Sequence, residues 1–190
     1  MPGSALWLVP PEDSPLYKVL HAMIFTHIPS IYPHASPAKF TPHITLTSGC
    51  TLPDDIDQQA WLDSIALPDD VADLRIHIKG MQREAAYFRK LTLVCEKTAT
   101  LCELAVRCRA AGVEGSDVEQ AKVSAIQTFE VDSKIEELLE VTSQAKDWML
   151  KNGSATGGAV WLVPTFKGIE EWKPSAVRQL PESVRWEWAT

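Results

Sequence analysis

The apolar residues of this chain come in short runs, each closed by proline or glycine. None approaches the ~20 consecutive apolar residues that a membrane span needs. Residues 5–10 form one such run, ended by Pro10-Pro11, and read as a buried strand. Ser14-Pro15 then reads as a helix N-cap with proline in the first turn, and Leu16, Val19, Leu20, Met23 and Ile24 follow at helical spacing, ending before Pro29. After a proline-rich connection over 29–37, residues 40–48 read as a second strand, closed by Gly49.

Farther along, the spacing predicts a short helix over 55–66 and two strands, 74–79 and 87–95, around a connection containing Gly80. A helix carrying Leu101, Leu104, Ala105 and Cys108 follows, with Gly112 just past its end. A longer helix is expected over 132–152. Residues 159–165 and the alternating Val184, Trp186 and Trp188 give the last strands. Strands and helices mix without regular alternation, which points to an α+β fold rather than a doubly wound sheet. The tetrapeptide Trp7-Leu8-Val9-Pro10 recurs as Trp161-Leu162-Val163-Pro164, which would suit two similar lobes facing each other.

Composition narrows the function classes. The 190 residues are 45% apolar and 23% charged, values of a globular domain. With 18 Lys+Arg against 25 Asp+Glu the net charge is −7, which disfavours a protein that coats long nucleic acid. A local excess of six basic over two acidic residues from Arg75 to Lys97 reads first as a solvated hairpin edge and second as attraction for a phosphate. Cys50, Cys95, Cys102 and Cys108 lack a C-x-x-C pattern and read as reduced, structural thiols. The first residues lack a charged region followed by a long apolar one, so a soluble intracellular protein is expected.

The sharpest candidate site is Pro42-His43-Ile44-Thr45-Leu46-Thr47. On a strand, 43, 45 and 47 point one way while Ile44 and Leu46 point into the core. That face presents an imidazole able to move a proton near neutral pH, and hydroxyls able to hold a phosphate oxygen. A surface strand that happens to read His-Thr-Thr is the plainer alternative. The other histidines, at 21, 27, 34 and 77, offer less. His77 is followed by Ile78 and Lys79 without a hydroxyl residue, and His21 and His27 are six apart, on different faces of a regular helix. No metal site is expected.

The segment over 40–49, Phe-Thr-Pro-His-Ile-Thr-Leu-Thr-Ser-Gly, resembles the first motif of the 2H phosphoesterases, in particular the fungal 2′,3′-cyclic-nucleotide 3′-phosphodiesterases. Agreement extends to residues 5–10, 87–93, 161–164 and 170–172. The resemblance implies one domain over 1–190, of two pseudo-symmetric lobes whose antiparallel sheets line a central cleft with helices outside. It implies two H-x-T/S motifs, metal- and cofactor-free opening of 2′,3′-cyclic phosphates to 2′-phosphates, and a small nucleotide substrate for a monomer. ADP-ribose 1″,2″-cyclic phosphate, a by-product of tRNA splicing, is a further implied substrate, and Golgi or endomembrane association an implied location. On this resemblance His43 is the catalytic acid or base and Thr45 a phosphate ligand.

The second motif departs from the family pattern, because no histidine follows His77. Either Lys122 stands where the family has His, with Ser124 keeping the hydroxyl, or the motif-bearing segment is absent. The lack of a proline before Lys122 favours absence. Impaired hydrolysis is therefore expected, beside two alternatives: a catalytically inactive nucleotide-binding remnant, and an RNA-end 2′-5′ ligase-like member.

Overall fold

The computed structural model describes residues 3–31, 39–83, 91–113, 127–128 and 155–188. β1 (Ser4–Val9) leads into α1 (Pro15–Ala22), a π-helical turn (Met23–His27) and α2 (Ile28–Ile31). Ser14 caps α1 by accepting a hydrogen bond from the Tyr17 amide at 3.2 Å, and Pro15 fills the first turn, where a missing N–H costs nothing. Helical structure continues past Pro29 rather than ending before it. The π turn restarts the ladder, so Pro29 falls at the second position of a new segment, where amides have no partner to lose.

β2 (Ile44–Cys50), α3 (Gln58–Ser64) and β3 (Arg75–Arg83) follow, then β4 (Leu91–Cys95), α4 (Ala99–Gly112) and the short β5 (Gln127–Thr128). β6 (Ala155–Thr156), β7 (Ala159–Val163), β8 (Ala176–Gln179) and β9 (Arg185–Trp188) complete the described elements. The helix expected over 132–152 lies outside the described residues. No described helix is long and apolar enough to cross a membrane.

The fold is α+β, with two sheets. Sheet 1 has the order β2-β1-β7-β8 and is antiparallel throughout. Sheet 2 has the order β5-β4-β3-β9-β6. It is mixed, not antiparallel as expected, because β9 returns from the C-terminal end to lie parallel to β3. Two strand–helix–strand units share one arrangement. β2 follows α1 and α2 to become the antiparallel edge neighbour of β1, and β5 follows α4 to become the antiparallel edge neighbour of β4.

The repeated tetrapeptide does not mark two lobes. Its copies are adjacent strands of sheet 1, paired antiparallel with Trp7 directly opposite Trp161. The two indoles share one face, while Leu6, Leu8, Val160 and Leu162 turn to the other and join the main core. That core also takes Leu16 and Leu20 of α1, Leu62 of α3, Leu101, Leu104 and Cys108 of α4, and Ile76, Ile78 and Trp186 of sheet 2. Both sheets thus bury one face in common apolar packing, the main stabilising term for such a chain.

Glycines are placed where the chain changes course. Gly49 has φ +76°, and β2 runs on through it to Cys50 as a bulge instead of closing there. Gly158, with φ +138°, carries the chain from sheet 2 into sheet 1. A Cβ there would stand 2.9 Å from the Val9 carbonyl oxygen, and the Trp186 indole donates to the neighbouring Gly157 carbonyl at 2.9 Å. Gly80 lies inside β3 beside a register shift, not in a connection, and Gly112 is the last residue of α4.

Candidate active site

His43 immediately precedes β2 at the edge of sheet 1. Its imidazole lies flat on the Trp7 indole, with ring centroids 3.6 Å apart and planes 7° from parallel. Phe40 tilts against the same imidazole at 5.6 Å. Trp172 closes the group, edge-on to Trp7 at 5.9 Å and tilted to Phe40 at 6.2 Å. Trp172 is positioned by its own indole N–H, which donates to the Lys167 carbonyl at 3.0 Å.

His43 is only 2% exposed. Its Nδ1 lies 2.7 Å from the Thr41 carbonyl oxygen. A carbonyl can only accept, so Nδ1 carries the hydrogen and Nε2 keeps its lone pair. Burial lowers the imidazole pKa to about 4, opposed in part by the Thr41 bond, which favours the charged form. At neutral pH the ring is therefore uncharged and able to accept a proton at Nε2.

The hydroxyls beside it differ from the sequence expectation. Trp7 pairs with Thr45, which places Thr45, half-buried, on the face of the indole and of His43. The register then shifts: Leu6 pairs with Thr47, skipping Leu46. This bulge breaks the two-residue alternation and turns Thr47 inward with Leu46. Thr47 is 5% exposed, and its Oγ1 has no hydrogen-bond partner among the described residues. Ser48, opposite Ala5 and exposed, takes the place on the Trp7 face that Thr47 was expected to hold.

The remaining candidates separate. Lys122 and Ser124 lie outside the described residues, as does His34. His77 stands on β3, about a third exposed, with Nδ1 3.5 Å from Glu187 Oε1 on the neighbouring parallel strand. His21 stacks on Phe25 at 4.0 Å and faces Tyr17 at 5.7 Å. Among the described residues no group of three His, Cys, Asp or Glu side chains is placed to hold a metal ion. Burial pushes the Cys50 thiol up to about 11 and those of Cys95 and Cys108 to about 12, and all four cysteines are free.

Sequence reasoning missed the aromatic surround of His43. One signal was present. The run Ala5 to Val9 is apolar at every position, which marks a strand buried on both faces, so Trp7 had to meet a second layer.

Residues 1–130 match the cyclic phosphodiesterase-like protein family, so the chain belongs to a family of cyclic phosphodiesterases. It is 32% identical over 216 aligned positions to a 2′,3′-cyclic-nucleotide 3′-phosphodiesterase of Neurospora crassa, covering 95% of this chain and all of the relative. A protein of the same name from Phaeosphaeria nodorum is 32% identical over 201 positions with the same coverage. One from Yarrowia lipolytica is 31% identical over 150 positions, covering 77% of this chain and 67% of that protein. The first two alignments are longer than this 190-residue chain, so those relatives carry residues without a counterpart here.

Proposed function

We propose that this chain is a hydrolase that opens 2′,3′-cyclic nucleotides to 2′-nucleotides, using His43 as the proton acceptor. The observation that carries the reading is the imidazole itself: uncharged, with Nδ1–H held by Thr41, and on the same sheet face as the Thr45 hydroxyl. Nε2 takes a proton from the attacking water as its oxygen bonds to phosphorus. The Thr45 hydroxyl donates to a non-bridging phosphate oxygen, where charge builds. The bond from phosphorus to the 3′ oxygen breaks, and that oxygen leaves with a proton from solvent. Water is the only co-reactant, with no metal or cofactor. The fold is proposed to act as a single domain of two lobes over 1–190, as a monomer.

Turnover is proposed to be slow. No histidine follows His77, so the second H-x-T/S motif, whose imidazole would protonate the leaving oxygen, is lacking. A missing acid or base typically costs ~10²–10⁴ in rate. The lack of a proline before Lys122 favours loss of the motif-bearing segment over replacement by Lys122, and leaves Ser124 as a weak second hydroxyl. The same observation favours a second reading, a nucleotide-binding protein without turnover. ADP-ribose 1″,2″-cyclic phosphate, and with it a role downstream of tRNA splicing, is the proposed alternative substrate. RNA carrying a 2′,3′-cyclic end is disfavoured by the net charge of −7.

The test is hydrolysis of the four 2′,3′-cyclic mononucleotides, with and without chelator, by the wild-type chain, His43→Ala and Thr45→Ala, with ADP-ribose 1″,2″-cyclic phosphate and a cyclic-ended RNA run in parallel. Hydrolysis to the 2′-phosphate, insensitive to chelator and lost in His43→Ala, supports the hydrolase. Binding of a 2′-nucleotide without turnover supports the second reading.

A further inference from the structure

We propose that Trp7 is a positioning residue for His43, setting the plane of its imidazole and sealing one ring face from water. The inference rests on the reading of His43 as the proton acceptor.

An imidazole joined to the chain through two single bonds needs two constraints before Nε2 has a fixed direction. The Thr41 carbonyl supplies one, by holding Nδ1–H at 2.7 Å. That bond fixes a direction within the ring plane and leaves the ring free to tilt about it. The Trp7 indole supplies the other. At 3.6 Å and 7° the two rings lie nearer and flatter than the offset or edge-on pairs usual between aromatic side chains. Rotation of the imidazole out of this plane would drive it into the indole.

Trp7 is itself closely packed. It sits on β1, an inner strand of sheet 1 paired on both sides, and is 2% exposed. Thr45 stands directly opposite it on β2, and Trp172 packs edge-on. The elements against His43 present uncharged groups: Trp7 from β1, with Phe40 and Thr41 from the segment before β2. Among the described residues Tyr17 packs against the Trp7 group, and its hydroxyl donates to Glu12 at 3.3 Å. The indole thus acts by shape and by excluding water, in the way that a rigid support fixes a reacting group.

The repeated tetrapeptide provides a matched control. Trp161 occupies the same place in the same motif on the next strand and is 8% exposed, yet it makes no ring contact with His43 among the described residues. Loss of either indole removes similar buried area, but only Trp7 bears on the imidazole.

The experiment compares Trp7→Leu, Trp7→Phe, Trp161→Leu and the wild-type chain by NMR titration of the His43 ring, alongside kcat and KM for a 2′,3′-cyclic nucleotide. In the wild-type chain the His43 ring protons are expected upfield from the indole ring current, with a titration midpoint near 4. Trp7→Leu should abolish the upfield displacement and move the midpoint towards the ordinary ~6.5. It should also lower kcat roughly ten- to hundredfold with little change in KM. Trp7→Phe should restore part of each, and Trp161→Leu should match wild type in all three. If Trp7→Leu does not fold, Trp7→Phe against Trp161→Leu makes the same comparison. His43 shifts and midpoint that are unchanged in the Trp7 variants, or changed equally by Trp161→Leu, overturn the proposal. The NMR arm reads the position of His43 whether or not the chain turns over, so failure of the hydrolase reading alone shows as normal titration without product.

Discussion

Sheets 1 and 2 each give one face to the common core, and they differ in what the other face carries. On sheet 1 that face is aromatic and neutral, with Trp7, Trp161 and Thr45 beside a buried His43. On sheet 2, β3 and β9 present Arg75, His77, Lys79, Arg185 and Glu187. Two histidines of one chain thus live in opposite settings. His43 is stacked and stripped of water, while His77 is a third exposed with a carboxylate at 3.5 Å. The difference lies in what surrounds each ring: burial among aromatic side chains keeps the His43 imidazole uncharged at neutral pH, while His77 meets an acidic neighbour at a partly solvated position.

Exchange of the two histidines' fates would break this comparison, and the largest effect is expected there. His43→Ala should reduce turnover of 2′,3′-cyclic nucleotides by ~10²–10⁴. His77→Ala should leave it within about twofold, since surface changes away from a site are near neutral. Steady-state rates on both variants check this.

A smaller effect, on stability, follows from the depressed pKa of His43. The folded ring titrates near 4 and the unfolded one near ~6.5, so between these values the unfolded chain binds more protons. Stability from this group is complete above pH ~6.5 and falls as the pH drops towards 4, by about 3 kcal/mol in all. Urea unfolding of the wild-type chain and His43→Gln across that window should show the dependence shrinking in the variant. An equal slope in both would assign it to other groups.

Next in size is the join between α4 and sheet 1. A Cβ added at Gly112 would stand 2.6 Å from Cys50 Sγ, so Gly112→Ala should cost about 1–3 kcal/mol, as overpacking does. Adding Cys50→Ala should recover part of it, measured by the same unfolding curves. The smallest effect is at the His77–Glu187 contact. Glu187→Gln should change stability by less than about 1 kcal/mol, because both groups are partly in water.

Local signals were legible in the sequence, and pairings between distant segments were not. The Ser14-Pro15 start of α1, the strand around Ile44 and the His43–Thr45 pair follow from caps, alternation and a short motif, all set by neighbours in the chain. The motif named His43 and Thr45 but misplaced Thr47, because a bulge opposite Leu6 depends on the partner strand. The tetrapeptide echo does not reveal that its copies are neighbours in one sheet, since identical strands say nothing about which neighbour each selects. The parallel pairing of β9 with β3 joins residues about a hundred positions apart and leaves no local trace. The Trp7 stack escaped for the same reason.

The most direct measurement is product analysis of a 2′,3′-cyclic nucleotide incubated with the wild-type chain, His43→Ala and His77→Ala, with chelator present. The account predicts slow formation of the 2′-phosphate by the wild-type chain and His77→Ala, and none by His43→Ala. Activity that the chelator removes, or an unchanged rate in His43→Ala, would contradict it.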